Sequence, residues 1–375
     1  MIYLDTAATS LQKPKAVAAA CKYATTHYAN PSRGGYKASI LAEKKAYDTR
    51  CLLSRLFSFR EEQNIVFTKN ATEALNIAIK TLVTRGSRVV ISGYEHNAVL
   101  RPLVSLGADI TVARSPLFAP EKAVSAFESA LDLGDIDCVV CTHISNVFGY
   151  ILPIERIAAL CRKRRVPLII DAAQSAGSLP LNADKLGAHF IAMPGHKGLF
   201  GPAGTGVLLC CIPPVSTLVE GGTGTNSKET AMPFFLPDRL EAGTQNMPGI
   251  AGLYEGVKFV LDTGIEALSH KAKSLKTIAL EGLSSISGVR CYFGTDKTQS
   301  AVLSMQLSNI DCVSAAERLA ESDICTRAGF HCAFEAHKTA RTQKQGTLRM
   351  STSFFNTQKE IQKFLLEMQK IAKNS

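Results

Sequence analysis

The chain has 375 residues, enough for two domains with cores of their own, and carries 46% hydrophobic and 20% charged residues, a balance that excludes wholesale disorder. Its net charge of +10 comes from scattered Lys and Arg. The densest basic cluster, Arg162–Arg165, ends a helical pattern and complements the helix dipole there, so the charge gives no ground to expect nucleic acid as a partner.

In chain order, Met1-Ile2-Tyr3-Leu4-Asp5 has no basic region and its apolar run is broken by Asp5, so no signal peptide is expected. No run approaches the ~20 apolar residues of a spanning helix, which makes the expected location cytoplasmic, away from membranes. Strand patterns cover 65–68, 88–92, 109–113, 137–143, 166–171, 189–193 and 206–210. Helical patterns between them include 72–84, 97–106 and 154–163. Near-continuous apolar strands separated by helices predict an α/β fold whose mainly parallel sheet is covered on both faces. After Gly249 the character changes: helical stretches over 250–261 and 265–286, strands over 289–293 and 301–307, then helices over 312–321 and 358–372. The expected organisation is a large domain over 14–249, a smaller α+β domain over 250–375, and residues 1–13 joining the two. The Gly221–Ser227 stretch reads as a surface loop.

Eleven cysteines, an odd number, are too few at this length for a disulfide scaffold. Cys21, Cys51, Cys161, Cys210 and Cys211 read as small buried hydrophobes. Cys138 and Cys141 have CxxC spacing but lie within a strand, where residues three apart face opposite ways, and no second pair completes a zinc set. No metal is expected.

Ligands of parallel sheets sit beyond the carboxyl ends of the strands. One strand runs into Asp171-Ala172-Ala173-Gln174, the next into Pro194-Gly195-His196-Lys197. Singly, Asp171 reads as a helix cap and Lys197 as a loop cation. Together at successive strand ends they form the pair that pyridoxal-5′-phosphate (PLP) needs: an amine for a Schiff base and a carboxylate that keeps the pyridine nitrogen protonated. A phosphate needs a helix N-terminus, and Thr68-Lys69-Asn70-Ala71-Thr72 supplies a strand-turn-helix junction that a plain capping sequence would also explain.

Seven strings occur in order: Tyr3–Thr9, Asn70-Ala71-Thr72-Glu73-Ala74, Glu95-His96, Ser145-Asn146-Val147, Asp171–Gln174, Gly195-His196-Lys197 and Glu241-Ala242-Gly243-Thr244. From Ile2 to about Phe364 the chain resembles the class V aminotransferases of PLP fold type I, within them the SUF-type cysteine desulfurase and selenocysteine lyase group. The resemblance implies a role for each matching residue. Lys197 is the Schiff-base lysine and Asp171 the pyridinium partner. Gln174 bonds the phenolic oxygen, His96 stacks on the ring and can shuttle a proton, and Asn146 lies near the ring oxygen and substrate. Ala71, Thr72 and His196 hold the phosphate. Thr244, with the Gly221–Thr225 loop, reaches the neighbouring subunit's cofactor, which implies a homodimer with shared sites. Ala8 joins the substrate-binding set.

Thr326-Arg327-Ala328-Gly329-Phe330-His331-Cys332-Ala333 reads as a flexible loop with Cys332 among polar neighbours. Arg327 and His331 would favour its thiolate, against the alternative of an inert buried thiol. The segment resembles the family's sulfur-accepting loop, and Arg349, in Gly346–Ser351, matches the arginine that binds the substrate carboxylate beside Arg327. The implied function converts L-cysteine to L-alanine, leaves the sulfur on Cys332 as a persulfide, and hands it to an acceptor protein or thiol. Selenocysteine lyase, cysteine/cystine lyase, another class V enzyme, or a non-enzymatic scaffold on the same fold remain as alternatives. The chain departs from the family pattern at three positions. Pro194 stands where a phosphate-binding hydroxyl is usual, Tyr36 where a His is common, and Phe330 in place of a second loop histidine.

Overall fold

A computed structural model describes residues 1–31, 34–212, 216–225 and 227–373. The strands are β1 (Ile2–Tyr3), β2 (Ile65–Thr68), β3 (Arg88–Ser92), β4 (Asp109–Ala113), β5 (Cys138–Thr142), β6 (Leu168–Asp171), β7 (Phe190–Pro194), β8 (Gly206–Cys210), β9 (Val289–Tyr292), β10 (Val302–Leu307), β11 (Ile324–Cys325), β12 (Arg327–Gly329) and β13 (Thr347–Ser351). The helices are α1 (Lys15–His27), α2 (Lys37–Phe57), α3 (Ala71–Leu82), α4 (Asn97–Leu106), α5 (Pro120–Leu131), α6 (Ile154–Arg164), α7 (Ala183–Leu186), α8 (Met247–Thr263), α9 (Ile265–Ser284), α10 (Cys312–Glu321), α11 (Phe334–Thr339) and α12 (Gln358–Lys373).

Seven strands form the main sheet in the order β2-β8-β7-β6-β5-β3-β4. Only β8 runs against its neighbours; β4, β3, β5, β6 and β7 are parallel. Side chains alternate cleanly across it. Val90, Val139, Cys141, Leu168 and Ile170 pack into one core, and Val89, Ile91, Cys138, Val140 and Ile169 into the other. Burial on both faces is why these strands are apolar throughout rather than alternating. Cys138 and Cys141 accordingly fall in different cores. Of the five cysteines expected to be buried, Cys161 and Cys210 are, Cys21 and Cys51 are half-buried, and Cys211 is exposed.

The chain leaves β3 toward β4 and then returns across β3 to place β5 on its other side. The loops after β3 and β5 therefore diverge, and a crevice opens between them. The C-terminal lobe is a four-stranded antiparallel sheet, β12-β13-β10-β9, packed with α9, α10 and α12. Its core joins Leu303, Met305, Leu348, Met350, Leu283 and Phe364 to Ile2 and Leu4. The N-terminal strand β1 pairs in parallel with β11, so the first residues belong to the last-formed lobe.

The two cores do not part at the expected boundary of 249/250, which falls inside α8. Met247, Ile250, Leu253, Val257 and Val260 pack into the main core against α1 and α2, as do Ile265 and Leu268 of α9. From Leu275 onward α9 serves the smaller core. A helix carrying an apolar stripe follows the core that it can bury, not the change in composition. The Gly221–Ser227 stretch forms turns, with Asn226 outside the described residues. The basic residues Arg162, Lys163 and Arg164 occupy the last turn of α6. No helix among the described residues is long and apolar enough to cross a membrane.

Candidate active site

A cavity of about 530 Å³ lies at the carboxyl ends of β3, β5, β6 and β7. Asn70, Ala71, Thr72, His96, Asn146, Asp171, Gln174, Pro194, His196 and Lys197 all line it. Each arrives there for a local reason. Asp171 ends β6, between Thr142 of β5 and Ala192 of β7, and its Oδ1 accepts the Ala173 N–H at 2.8 Å. Lys197 follows β7 in a turn clamped by the N-terminal segment: Ser10 N–H donates to the His196 carbonyl at 2.9 Å and Ser10 Oγ to the Lys197 carbonyl at 2.8 Å. A Cβ on Gly198 would overlap the Ala176 carbonyl oxygen, so the residue after the lysine must be glycine.

The electrostatics follow from burial. Desolvation pushes the Lys197 ammonium down to about 8, against the pull of Asp171. Asp171 is raised by burial, opposed by the Ala173 N–H and Lys197. An amine and an acid therefore face one cavity, the amine losing its proton at lower pH than an ordinary lysine. Glu95 is fully buried and pushed up to about 8, so it is largely protonated at neutral pH. Its Oε1 accepts from Ser92 Oγ at 2.5 Å and the Thr142 N–H at 2.8 Å, which ties the ends of β3 and β5 together.

His96 is more than a ring in a turn. It caps α4, its Nδ1 accepting the Ala98 N–H at 3.0 Å. That bond leaves the proton of the neutral ring on Nε2. Burial and then the charge of Lys197 push its pKa down to about 4, so the ring is uncharged across the physiological range. The fourth wall is the start of α3. Asn70 Oδ1 caps it at the Glu73 N–H (2.9 Å), leaving Ala71 and Thr72 at the open, electropositive end. Behind it, buried Glu241 accepts from the Phe67 N–H at 2.7 Å and pairs with Arg50 at 2.6 Å, fixing the strand that leads into this helix.

The donor set fits PLP. A helix N-terminus with Thr72 and His196 suits a phosphate, Asp171 a basic ring nitrogen, and Lys197 an aldehyde. Pro194 lines the cavity without a hydroxyl, as its identity dictates. Gln174 gives one amide N–H to the Ala7 carbonyl at 2.9 Å and keeps the rest of its amide for the cavity. Thr244 is exposed and lines a different cavity, with Thr68, Lys69 and Glu73. Tyr36, also exposed, stands at the start of α2.

The sulfur segment is partly strand. Arg327–Gly329 forms β12 against β13, contrary to the expected loop throughout, because Gly329 and Ala328 leave room for the main-chain ladder. The register puts Arg327 directly opposite Arg349. Like charges in that position are costly, and Asp5, at 2.6 Å from Arg349, offsets part of the cost. Asp5 carried no separate signal in the sequence, since its partner lies 344 residues away. The two guanidinium-bearing residues are thus brought to one place on the sheet, beside the loop of Cys332.

Beyond β12, Cys332 is exposed, with Arg327 Nη2 at 3.9 Å from its Sγ. His331 does not help that thiol as expected: its ring is buried and turned to the Thr347 carbonyl at 3.0 Å, and desolvation followed by Arg349 holds it well below the usual histidine range. The loop is fixed to the cavity by its own backbone. Asn97 N–H donates to the Cys332 carbonyl at 2.7 Å, and Asn146 Nδ2 to the His331 carbonyl at 2.7 Å. Arg349 Nη1 closes the set on the Asn146 carbonyl at 2.8 Å. Ala8 sits at the start of the same N-terminal turn, its N–H on the Asp5 carbonyl at 3.0 Å.

Residues 2–364 match the aminotransferase class-V family. The chain is 32% identical to a probable cysteine desulfurase of Methanothermobacter thermautotrophicus, over 96% of this chain and 92% of that one. It is 30% identical to a probable cysteine desulfurase of Pyrococcus abyssi, over 100% and 95%. The apo structure of a cysteine desulfurase from Thermococcus onnurineus superposes with a TM-score of 0.89 at 29% identity, covering 100% of this chain and 95% of that one.

Proposed function

Because the chain belongs to the class-V aminotransferase family, we propose that it is a PLP-dependent cysteine desulfurase, which takes sulfur from L-cysteine onto Cys332 and releases L-alanine. One observation carries the reading beyond the family: an exposed thiol is tied by its own backbone to the residues around an amine–carboxylate cavity, beside paired arginines.

Lys197 would hold the cofactor aldehyde, Asp171 its ring nitrogen, Gln174 and Asn146 its ring oxygen, His96 its ring face, and Ala71, Thr72 and His196 its phosphate. When bound, the cofactor supplies an electron sink for the pair left at the substrate Cα. Arg349 and Arg327 grip the substrate carboxylate, near Ala8. Once the substrate's own amine has displaced it from the aldehyde, the Lys197 amine would take the Cα proton at Nζ, for which a pKa lowered to about 8 suits it. Cys332 Sγ attacks the substrate sulfur: the S–S bond forms, the Cβ–S bond breaks, and its electron pair stays with carbon, which is reprotonated to alanine. The persulfide is then passed to an acceptor thiol or protein. Thr244 would serve the cofactor of a second copy of the chain, a dimeric arrangement supported by its exposure away from its own chain's cavity.

Intact-mass spectrometry after incubation with cysteine tests the reading. A gain of about 32 Da lost in Cys332→Ala, with alanine as product, is expected. Pyruvate and ammonia as products with an unmodified Cys332 would overturn it.

A further inference from the structure

We propose that His331 is a positioning residue whose ring holds Cys332 in register with the arginine that grips the substrate. The inference rests on the desulfurase reading. His331 and Cys332 are consecutive non-glycine residues in the left-handed region, at φ 50° and 56°. Such a pair persists only where its surroundings over-determine it, and histidine is one of the side chains that tolerate the region.

Three hydrogen bonds do the determining. The Thr347 carbonyl can only accept, so the His331 Nε2 at 3.0 Å must carry the proton and donate it. The His331 carbonyl accepts from Asn146 Nδ2, and the Cys332 carbonyl from the N–H of Asn97, the residue after His96. Thr347 lies on β13, two residues before Arg349, and Arg349 in turn donates to the Asn146 carbonyl. His331, Asn146, Arg349 and the β13 backbone thus form one closed circuit, with Cys332 attached at the next residue. The ring is the part of that circuit through which the thiol's loop is fixed to the strand of the carboxylate anchor.

The ring is also built in from behind. It is 3% exposed and lies over His337, with centroids 6.0 Å apart and planes 27° from parallel; His337 is itself tied to Thr342 Oγ1 at 2.7 Å. Its Nδ1 has no partner among the described residues, so Nε2 alone, against the carbonyl and hydroxyl of Thr347 on β13, sets its orientation. The groups facing it are Arg349, His337, Arg327 and the Thr347 hydroxyl, and the two arginines disfavour a charged ring. A neutral, buried peg bonded to β13 through one nitrogen, next to the nucleophile, is suited to position and not to proton transfer.

Three holoenzyme variants test this. Leu at 331 fills space without a donor, Asn donates but is too short, and Gln places its Nε2 near that of the histidine. In His331→Leu and His331→Asn, persulfide formation on Cys332 in a single turnover should slow about tenfold or more, the scale of a misplaced reacting group. Cofactor absorbance and the KM for cysteine should stay within about twofold, because neither depends on where the thiol sits. His331→Gln should recover most of the rate. If His331→Leu does not fold, the Asn–Gln pair decides alone. Equal rates in Asn, Gln and wild type overturn the inference, as does a joint loss of cofactor and rate in all variants. Wild-type enzyme that forms no persulfide at all would instead sink the desulfurase reading itself.

Discussion

The two ends of this site are built on opposite terms. Asp171 ends a sheet strand with partners on both sides, and Lys197, Asn146 and His96 follow three others in turns that backbone hydrogen bonds hold. Cys332 sits exposed on a two-residue left-handed corner, held by carbonyl contacts and one histidine ring. Acid–base work on a bound ring needs fixed distances and a dry setting. A thiol that must meet first a substrate and then an outside acceptor needs access. The contrast shows that rigidity here is assigned to atoms that act within the cavity, and exposure to the one atom that must serve two partners.

That contrast can be broken at either end. Lys197→Ala should abolish desulfuration by on the order of 10⁴-fold or more and remove the borohydride-sensitive absorbance near ~420 nm. Cys332→Ala should lower alanine formation from cysteine by about 10³-fold while that absorbance stays, separating the exposed end from the rigid one. Arg349→Lys should cost about 10²-fold in kcat/KM, since an ammonium cannot reproduce a guanidinium held between Asp5 and Asn146. Arg327→Lys, at a half-exposed position, should cost less.

Two smaller effects sharpen the same distinction through pH. In cofactor-free protein the free amine of Lys197 forms as pH rises through about 8, below the 10.5 of an ordinary lysine, so aldehyde uptake should rise with a midpoint near 8. A midpoint above 10 would show that the cavity does not desolvate the amine. Glu95 runs the other way. Its folded pKa of about 8 exceeds the unfolded value near 4.5, so the folded state binds the extra proton in that window and stability falls as pH rises through it. Glu95→Gln keeps the shape without the proton and should flatten the fall in Tm between about pH 6 and 8; an unchanged slope would assign the fall to other groups.

The strand ends were legible because β5 and β6 are runs of Val, Ile, Leu and Cys that stop at Thr142 and Asp171, and both stops line the cavity. The helices α1 and α2 were not. α1 buries only Val17 and Ala24, too little for a periodic signal, and α2 buries a wider stripe among Lys, Glu and Ser. Strand direction was hidden as well: β8 is as apolar as its parallel neighbours, and its reversal depends on the short turn after Lys197. The third blind spot was distance along the chain. Arg349 with Asp5, and His331 with Thr347, are partners that nothing local announces. His331 was read as a helper of the thiol because it is next to it in sequence; its ring points the other way.

The pairing of β1 with β11 has a consequence for synthesis. Ile2 and Leu4 leave the ribosome long before the residues that share their core, Ile324, Leu348 and Met350. Chains grow at about 5–20 residues per second, so those two side chains spend roughly half a minute uncovered while the large sheet assembles behind them. A nascent chain halted before Cys325 would therefore present a complete α/β sheet with a loose apolar leader, a segment that a chaperone can hold until translation is finished.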